Sequence, residues 1–357
     1  MNRFSQLVKV NAVYVVKNEW PLLAVTISHA LTHYADKVII MDTGSEDGTF
    51  EGIKILQSLW VDRIDFYRCN QQVYDQEPLT NLLIELSQNS QADWTMVLDA
   101  DEFFVHSNYG EFFKKLSETQ DNWSSYAIKV INFIVDEKHR DSDLADFEKI
   151  SYRIVGQNGF NTEIERFAGQ VITGELPLQT RNTPDKILVR NSSSIFLSLG
   201  AHQVVFGDGI FWMKHDSTIA SANYLGGIIC HLPYTSKQRI QSRKKRIFFD
   251  QAKTTSRLNI DAFKSLDNTD LLSKAVLTPE NYKRWLESGA IVRNSELSET
   301  LVPVIKRLKT IWPKLIRARY IPIVANTFPD ALDIKTVSNI IRKYHSRAQS
   351  LWDKNNS

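Results

Sequence analysis

Between residues 8 and 98 the chain alternates two kinds of apolar pattern, and that alternation limits what it can fold into. Residues 8–16 (VKVNAVYVV) are a short β-branched and aromatic run of the kind a buried strand carries. Residues 20–35 (WPLLAVTISHALTHYA) space their apolar groups helically, with Pro21 at an early position that a helix tolerates. The rhythm then repeats: a strand over 37–41 ending at Asp42, a helix over 49–59, a strand over 62–67, a helix over 78–90 and a strand over 94–98. Alternation of this sort predicts an α/β fold, a mostly parallel sheet with helices on both faces. Ligands of such sheets bind beyond the carboxyl ends of the strands. Three polar clusters fall at those ends, at Lys17-Asn18-Glu19, at Asp42 to Asp47 and at Asp99 to Glu102, and they are expected to converge on one edge.

After residue 105 the rhythm changes. Residues 110–120 read as a helix, 125–135 (SYAIKVINFIV) as one strand, and 139–149 (HRDSDLADFEK) as a charged loop. Residues 150–232 mix Gly, Asn and Ser with short β-like runs, and from 233 onward the chain is mostly helical. With 357 residues and 43% hydrophobic composition, the chain can bury a large core. Its net charge of +2 argues against a bulk nucleic-acid binder. Its two cysteines, Cys69 and Cys230, make no CxxC pair and read as reduced core thiols. No leader-like or membrane-spanning apolar run stands out, so the expected location is cytoplasmic.

The third cluster carries the sharpest chemistry. In MVLDADEFF (96–104) an apolar run stops at Asp99, Asp101 and Glu102. Past a strand end the chain can turn, so carboxylates two residues apart can reach one cation. Their oxygens suit Mn²⁺ or Mg²⁺, ions often shared with substrate phosphates. Unpaired, so many acids would raise one another's pKa. A capped turn opening the next helix is the plain alternative. In the second cluster, Asp42 can accept hydrogen bonds from a ribose or base, and Gly44 allows close backbone approach. A simple βα turn capped by Ser45 or Asp47 is the alternative there.

Three segments, VKNE (16–19), IIMDTGSEDGT (39–49) and WTMVLDADEFF (94–104), resemble in order and spacing the signature segments of family-2-type nucleotide-sugar glycosyltransferases of the GT-A fold. Shorter stretches, GFNTEIERF (159–167), DKILVR (185–190), GAHQV (200–204) and CHLPYTSKQRIQSRKKR (230–246), are similar to the bacterial glycan-synthesising members and to the family-92-like branch. The resemblance implies a GT-A catalytic domain over 1–235, with a nucleotide-binding half (1–105) and an acceptor-side half (106–235), and a helical region over 236–357. It implies a nucleotide-sugar donor, a glycan or lipid-linked acceptor, and Mn²⁺ or Mg²⁺. Asp99 and Asp101 are implied as metal ligands, with His231 a further metal or phosphate contact and Glu102 helping the metal shell. Tyr14, Val16, Lys17, Glu19, Asp42, Gly44 and Ala100 would line the donor site. Lys237, Arg243 or Lys244 would meet its phosphates. The base is implied to lie well beyond the Asp-x-Asp segment, among Glu163, Glu165, Asp208 and Asp216, with Asp208 and Asp216 preferred.

Plainer readings stand beside these. His231 and His202 also read as packed core histidines, RKKR at 243–246 as a solvated helix face, and Arg166 and Lys186 either as acceptor or phosphate contacts or, the plainer reading, as solvated residues. Residues 301–320 (LVPVIKRLKTIWPKLIRARY) carry cations and no acid, with Pro313 expected to break or kink the helix. They read as a helix packed on the catalytic domain with a charged outer face, or as a peripheral contact with an anionic membrane. Two other function classes remain: a non-catalytic sugar-nucleotide or glycan-binding protein, and a metal-dependent nucleotidyltransferase. The second would need a Gly-rich phosphate loop after the first strand, where this chain has Lys17-Asn18-Glu19-Trp20.

Overall fold

A computed structural model describes residues 8–69, 76–119, 125–156, 169–180, 183–191, 195–197, 204–206, 209–211, 225–236, 239–240 and 268–318. The opening alternation folds as β1 (Val10–Val16), α1 (Leu22–His33), β2 (Lys37–Asp42), α2 (Thr49–Leu59), β3 (Ile64–Arg68), α3 (Gln76–Asn89) and β4 (Trp94–Val97). Next come β5 (Glu102–Val105), α4 (Tyr109–Ser117), β6 (Ser125–Ile128), β7 (Val130–Ile134), α5 (Leu144–Phe147), β8 (Tyr152–Ile154) and β9 (Lys186–Arg190). The described remainder is β10 (Ile195–Leu197), β11 (Val204–Phe206), β12 (Gly209–Phe211), β13 (Ile228–His231), α6 (Asn268–Ala275), α7 (Pro279–Glu287), β14 (Ile291–Arg293), α8 (Glu296–Leu308) and α9 (Trp312–Ala318).

The chain makes two compact units, and each takes several stretches of sequence. The first comprises residues 1–129, 184–229 and 306–357. Its main sheet has the order β3-β2-β1-β4-β9-β6. The first four strands are parallel, with Val16 opposite Asp42 and Val13 opposite Val97. β9 runs antiparallel to β4, and β6 antiparallel to β9. One face of this sheet packs Val13, Ile39, Met41 and Val97 against Leu79, Leu83 and Ile84 of α3. β10, β11 and β12 form a separate antiparallel sheet. The fold is therefore the α/β, mostly parallel architecture that the alternation predicts.

The second unit comprises residues 130–183 and 230–305. Here β8 pairs antiparallel with β7 and β14. Its core gathers Ile134, Ile154, Leu271, Trp285 and Ile291, and the Trp285 indole donates to the Gly174 carbonyl at 3.0 Å. The sequence suggests one cut near 235. The units instead interleave, because β9 returns to the first sheet and lies between β4 and β6. For the same reason the strand expected over 125–135 divides at Lys129 into β6 and β7, one in each unit.

The C-terminal end also differs from its local pattern. Pro303 lies inside α8, while Pro313 is the second residue of α9, where its missing N–H costs nothing. In the first unit the Trp20 indole donates to the Leu315 carbonyl at 2.8 Å, and the Arg307 guanidinium lies 3.7 Å from the Trp60 ring centre. Among the described residues, no helix is long and apolar enough to cross a membrane.

Candidate active site

The first two strand-end clusters are laced together. Asn18 takes a positive φ of 57°, tolerable for asparagine, and turns both its backbone and its side chain toward the second loop. The Asn18 N–H donates to Ser45 Oγ at 2.8 Å, and Asn18 Oδ1 accepts from the Glu46 N–H at 2.7 Å. The Trp20 N–H donates to Asp47 Oδ2 at 2.8 Å, and the Thr43 N–H to the Val16 carbonyl at 2.9 Å. Gly44, with φ 88°, bends the second loop back so that the Ser45 N–H reaches Asp42 Oδ1 at 2.9 Å. These hydrogen bonds tie the two loops into one wall at the carboxyl ends of β1 and β2.

Asp42 itself is fully buried. Burial pushes its carboxyl above the ordinary range, against the pull of the Ser45 hydrogen bonds and of Arg68. Its Oδ2 lies 3.6 Å from Arg68 Nε and has no hydrogen bond among the described residues. In this conformation Asp42 shapes the loop, and its carboxylate has no face to solvent. Tyr14 and Val16 are buried within β1 and Glu19 just past it, while Lys17 and Gly44 are half-exposed.

The third cluster joins through β4. Thr26 Oγ1 of α1 donates to the Ala100 carbonyl at 2.7 Å. The Asp99 N–H donates to Glu102 Oε2 at 2.8 Å, closing a tight turn. Lys186, the first residue of β9, enters this turn from the neighbouring strand. Its Nζ lies 2.9 Å from Asp99 Oδ2 and 3.2 Å from Glu102 Oε2. The sequence reads Lys186 as solvated, yet its side chain is 2% exposed. Burial alone lowers an ammonium pKa, but the charges of Asp99 and Glu102 outweigh it and hold Lys186 well above the usual lysine range. Asp99 Oδ1 accepts from Gln76 Nε2 at 2.9 Å. Asp101 and Glu102 are buried, whereas Asp99 keeps 39% of its side-chain surface.

Among the described residues, no three His, Cys, Asp or Glu side chains are grouped to hold a metal ion. Lys186 occupies the Asp99–Glu102 turn, Asp101 is buried, and His231 lies in the second unit with Nδ1 2.8 Å from Asn132 Oδ1. Asp99 still fits a hard cation. Its carboxylate keeps 39% of its side-chain surface, and carboxylate oxygens are the ligands such ions take. Mg²⁺ commonly needs one or two protein carboxylates when substrate phosphates supply further ligands.

Asp208, Asp216, Glu163, Glu165, Arg166, His202, Lys237, Arg243 and Lys244 lie outside the described residues. Sequence reasoning did not assign Gln76, Arg68 or the structural part of Asn18, and it misjudged Lys186. The available signal for Lys186 was a cation heading the apolar run Ile187-Leu188-Val189, where a strand interior leaves a charge no solvent.

Residues 12–172 match the family model described as "Glycosyl transferase family 2". This segment belongs to glycosyl transferase family 2. The match contains the laced loops and the acid turn. No curated protein matches the chain by sequence. Among solved structures, S. aureus TarS 1-349 aligns at 11% identity and TM-score 0.31, covering 95% of this chain and 92% of that one. GalNAc-T7 with UDP, GalNAc and Mn²⁺ aligns at 12% identity and TM-score 0.36, covering 86% of this chain and 58% of that one. Glucosyl-3-phosphoglycerate synthase from Mycobacterium tuberculosis, with Mn²⁺, UDP and glucosyl-3-phosphoglycerate, aligns at 13% identity and TM-score 0.26, covering 53% and 58%. Likeness at this level identifies neither donor nor acceptor.

Proposed function

We propose that the protein transfers a sugar from a nucleoside-diphosphate-sugar donor to a glycan or lipid-linked acceptor in the synthesis of surface polysaccharide or glycoconjugate. The observation that carries this reading is Asp99. It is a half-exposed carboxylate at the carboxyl end of a parallel strand, oriented by Gln76 and Lys186. The Asn18–Ser45 and Trp20–Asp47 hydrogen bonds prearrange the adjoining loops as a donor wall, so little ordering is left for binding. Asp99 would hold Mn²⁺ or Mg²⁺, which supplies Lewis-acid stabilisation of the leaving diphosphate. Asp101 and Glu102 support the turn that aims Asp99, with Lys186 keeping it closed before donor arrives. Asp208 or Asp216 is proposed to take the proton of the acceptor hydroxyl.

A screen of UDP-, GDP-, CMP- and dTDP-sugars with Mn²⁺, read by thermal shift and by nucleotide release, tests the reading. One donor is expected to give a metal-dependent shift and turnover, both lost in Asp99→Ala. If no donor shifts the protein, the donor-site reading fails.

Peripheral attachment at the inner face of a membrane is proposed through the last described helices. Lys306, Arg307, Lys309, Lys314 and Arg317 are exposed, whereas Leu308, Trp312 and Leu315 are buried. The contact is therefore mainly electrostatic and follows ionic strength. Co-sedimentation with phosphatidylserine vesicles at low salt, released at high salt, is the expected result. No binding at low salt excludes the attachment.

A further inference from the structure

The second unit contains a cavity of about 500 Å³ that none of the donor-site residues enters. It lies between the loop after β7, the end of α5, the start of β8 and the first turn of α7. Ligand pockets commonly hold roughly 300–1,000 Å³, so this volume accommodates a sugar ring with a substituent.

Its lining has two characters. Ile134, Ile150 and Leu277 make an apolar floor, and the Tyr152 and Tyr282 rings stand beside it, edge to face with centroids 5.4 Å apart. The two tyrosine hydroxyls are 2.8 Å apart. One of them donates to the other, which leaves the accepting hydroxyl its own O–H for a ligand. Asp136 and Glu137 line it as carboxylates, while Asp146 is held by Lys149, by the Arg140 N–H at 3.0 Å and by the Arg140 guanidinium. Lys138 and Lys149 nearly balance them, and Lys149 is already held by Asp146 at 2.6 Å. His139 is buried at the wall, its Nε2 3.2 Å from Asp141 Oδ1 and its ring edge-to-face with Phe147.

Three acids against two lysines, one of them held by Asp146, suit neither a diphosphate nor a polyanion. An apolar floor, aromatic rings and carboxylate acceptors together match a neutral pyranose, whose C–H face packs on rings while its hydroxyls donate to oxygens. We propose that this cavity is a saccharide-binding site that takes a neutral sugar ring of the acceptor. Its identity as a saccharide site stands on the cavity, whereas its use for the acceptor rests on the glycosyltransfer reading.

Saturation-transfer NMR on the full chain, with methyl pyranosides of glucose, galactose, N-acetylglucosamine and N-acetylgalactosamine, tests the site. Glucose 1-phosphate and methyl glucuronide serve as charged controls. At least one neutral glycoside is expected to give signal, weakened about tenfold or more by Tyr282→Ala. Pro279→Trp, at an exposed position on the rim, blocks the cavity without disturbing the core and is expected to abolish the signal even if Tyr282→Ala folds poorly. The proposal is overturned if no neutral glycoside binds, if only the charged controls bind, or if signal survives Pro279→Trp. Nucleotide thermal shift in the same samples separates the two readings. Glycoside binding without any donor shift sinks the donor-site reading and leaves the saccharide site standing, and the reverse result sinks only the saccharide site.

Discussion

Asp99, Asp101 and Glu102 lie within four consecutive residues, and two of them are buried. Like charges so placed repel, and desolvation adds to the cost. The Lys186 ammonium offsets part of that cost from within the sheet. Replacing Lys186 with Met leaves Glu102 buried without its cation, a change that typically costs about 3–5 kcal/mol. Thermal melts at neutral pH are expected to show that loss. The pH dependence has a definite sign. The folded pKa of Lys186 lies above its ordinary value of 10.5, so its stabilisation is complete below that value and fades as pH rises past it. The gap between wild type and Lys186→Met is therefore expected to narrow in strongly alkaline buffer. A gap that stays constant there would show that packing, and not charge, holds Lys186.

At the scale of elements, the α1 and α2 entrances depend on one aromatic residue. Trp20 is buried, and a Cβ placed on Gly52 of α2 would fall inside its indole ring. Gly52 is therefore present for close approach, even though alanine is the better helix former. Gly52→Ala is expected to destabilise by about 1–3 kcal/mol through overpacking, despite its helix propensity. Urea unfolding measures this, and a stabilised variant would mean that the indole can move aside. Trp20 also donates to Leu315, so displacement of the ring weakens the seat of α9. α4 shows the local counterpart, with Asn108 Oδ1 accepting the Glu111 N–H as an N-cap.

At the scale of the whole molecule, the units interleave along the chain, and this sets what can be cut. The first unit draws buried side chains from Leu308, Trp312, Leu315 and Ala318, far from its opening strands in sequence. A fragment of residues 1–235 would lose these, along with the Trp20–Leu315 and Arg307–Trp60 contacts. It is expected to melt well below the full chain or to aggregate, as circular dichroism and size-exclusion chromatography would show. A fragment with the full chain's melting point would restore a separate C-terminal region as the better description.

The order of the first seven elements was legible because apolar period is local: two residues for a strand, 3.6 for a helix. The three strand-end clusters followed from it, since parallel strands deliver their carboxyl ends to one edge. The sequence by itself therefore determined the parallel half of the sheet and where its polar loops gather. The tertiary structure alone decided which charges meet. Lys186 stands 87 residues from Asp99 and reaches it only because β9 runs antiparallel beside β4. Nothing in the local pattern of 125–135 marks Lys129 as a division, because both sides have strand character and the division depends on which sheet each half joins. The burial of Asp42 is decided in the same way, by the turn at Gly44 and the approach of Arg68 from β3. Period is a property of neighbours in sequence, while charge pairing and burial depend on neighbours in space.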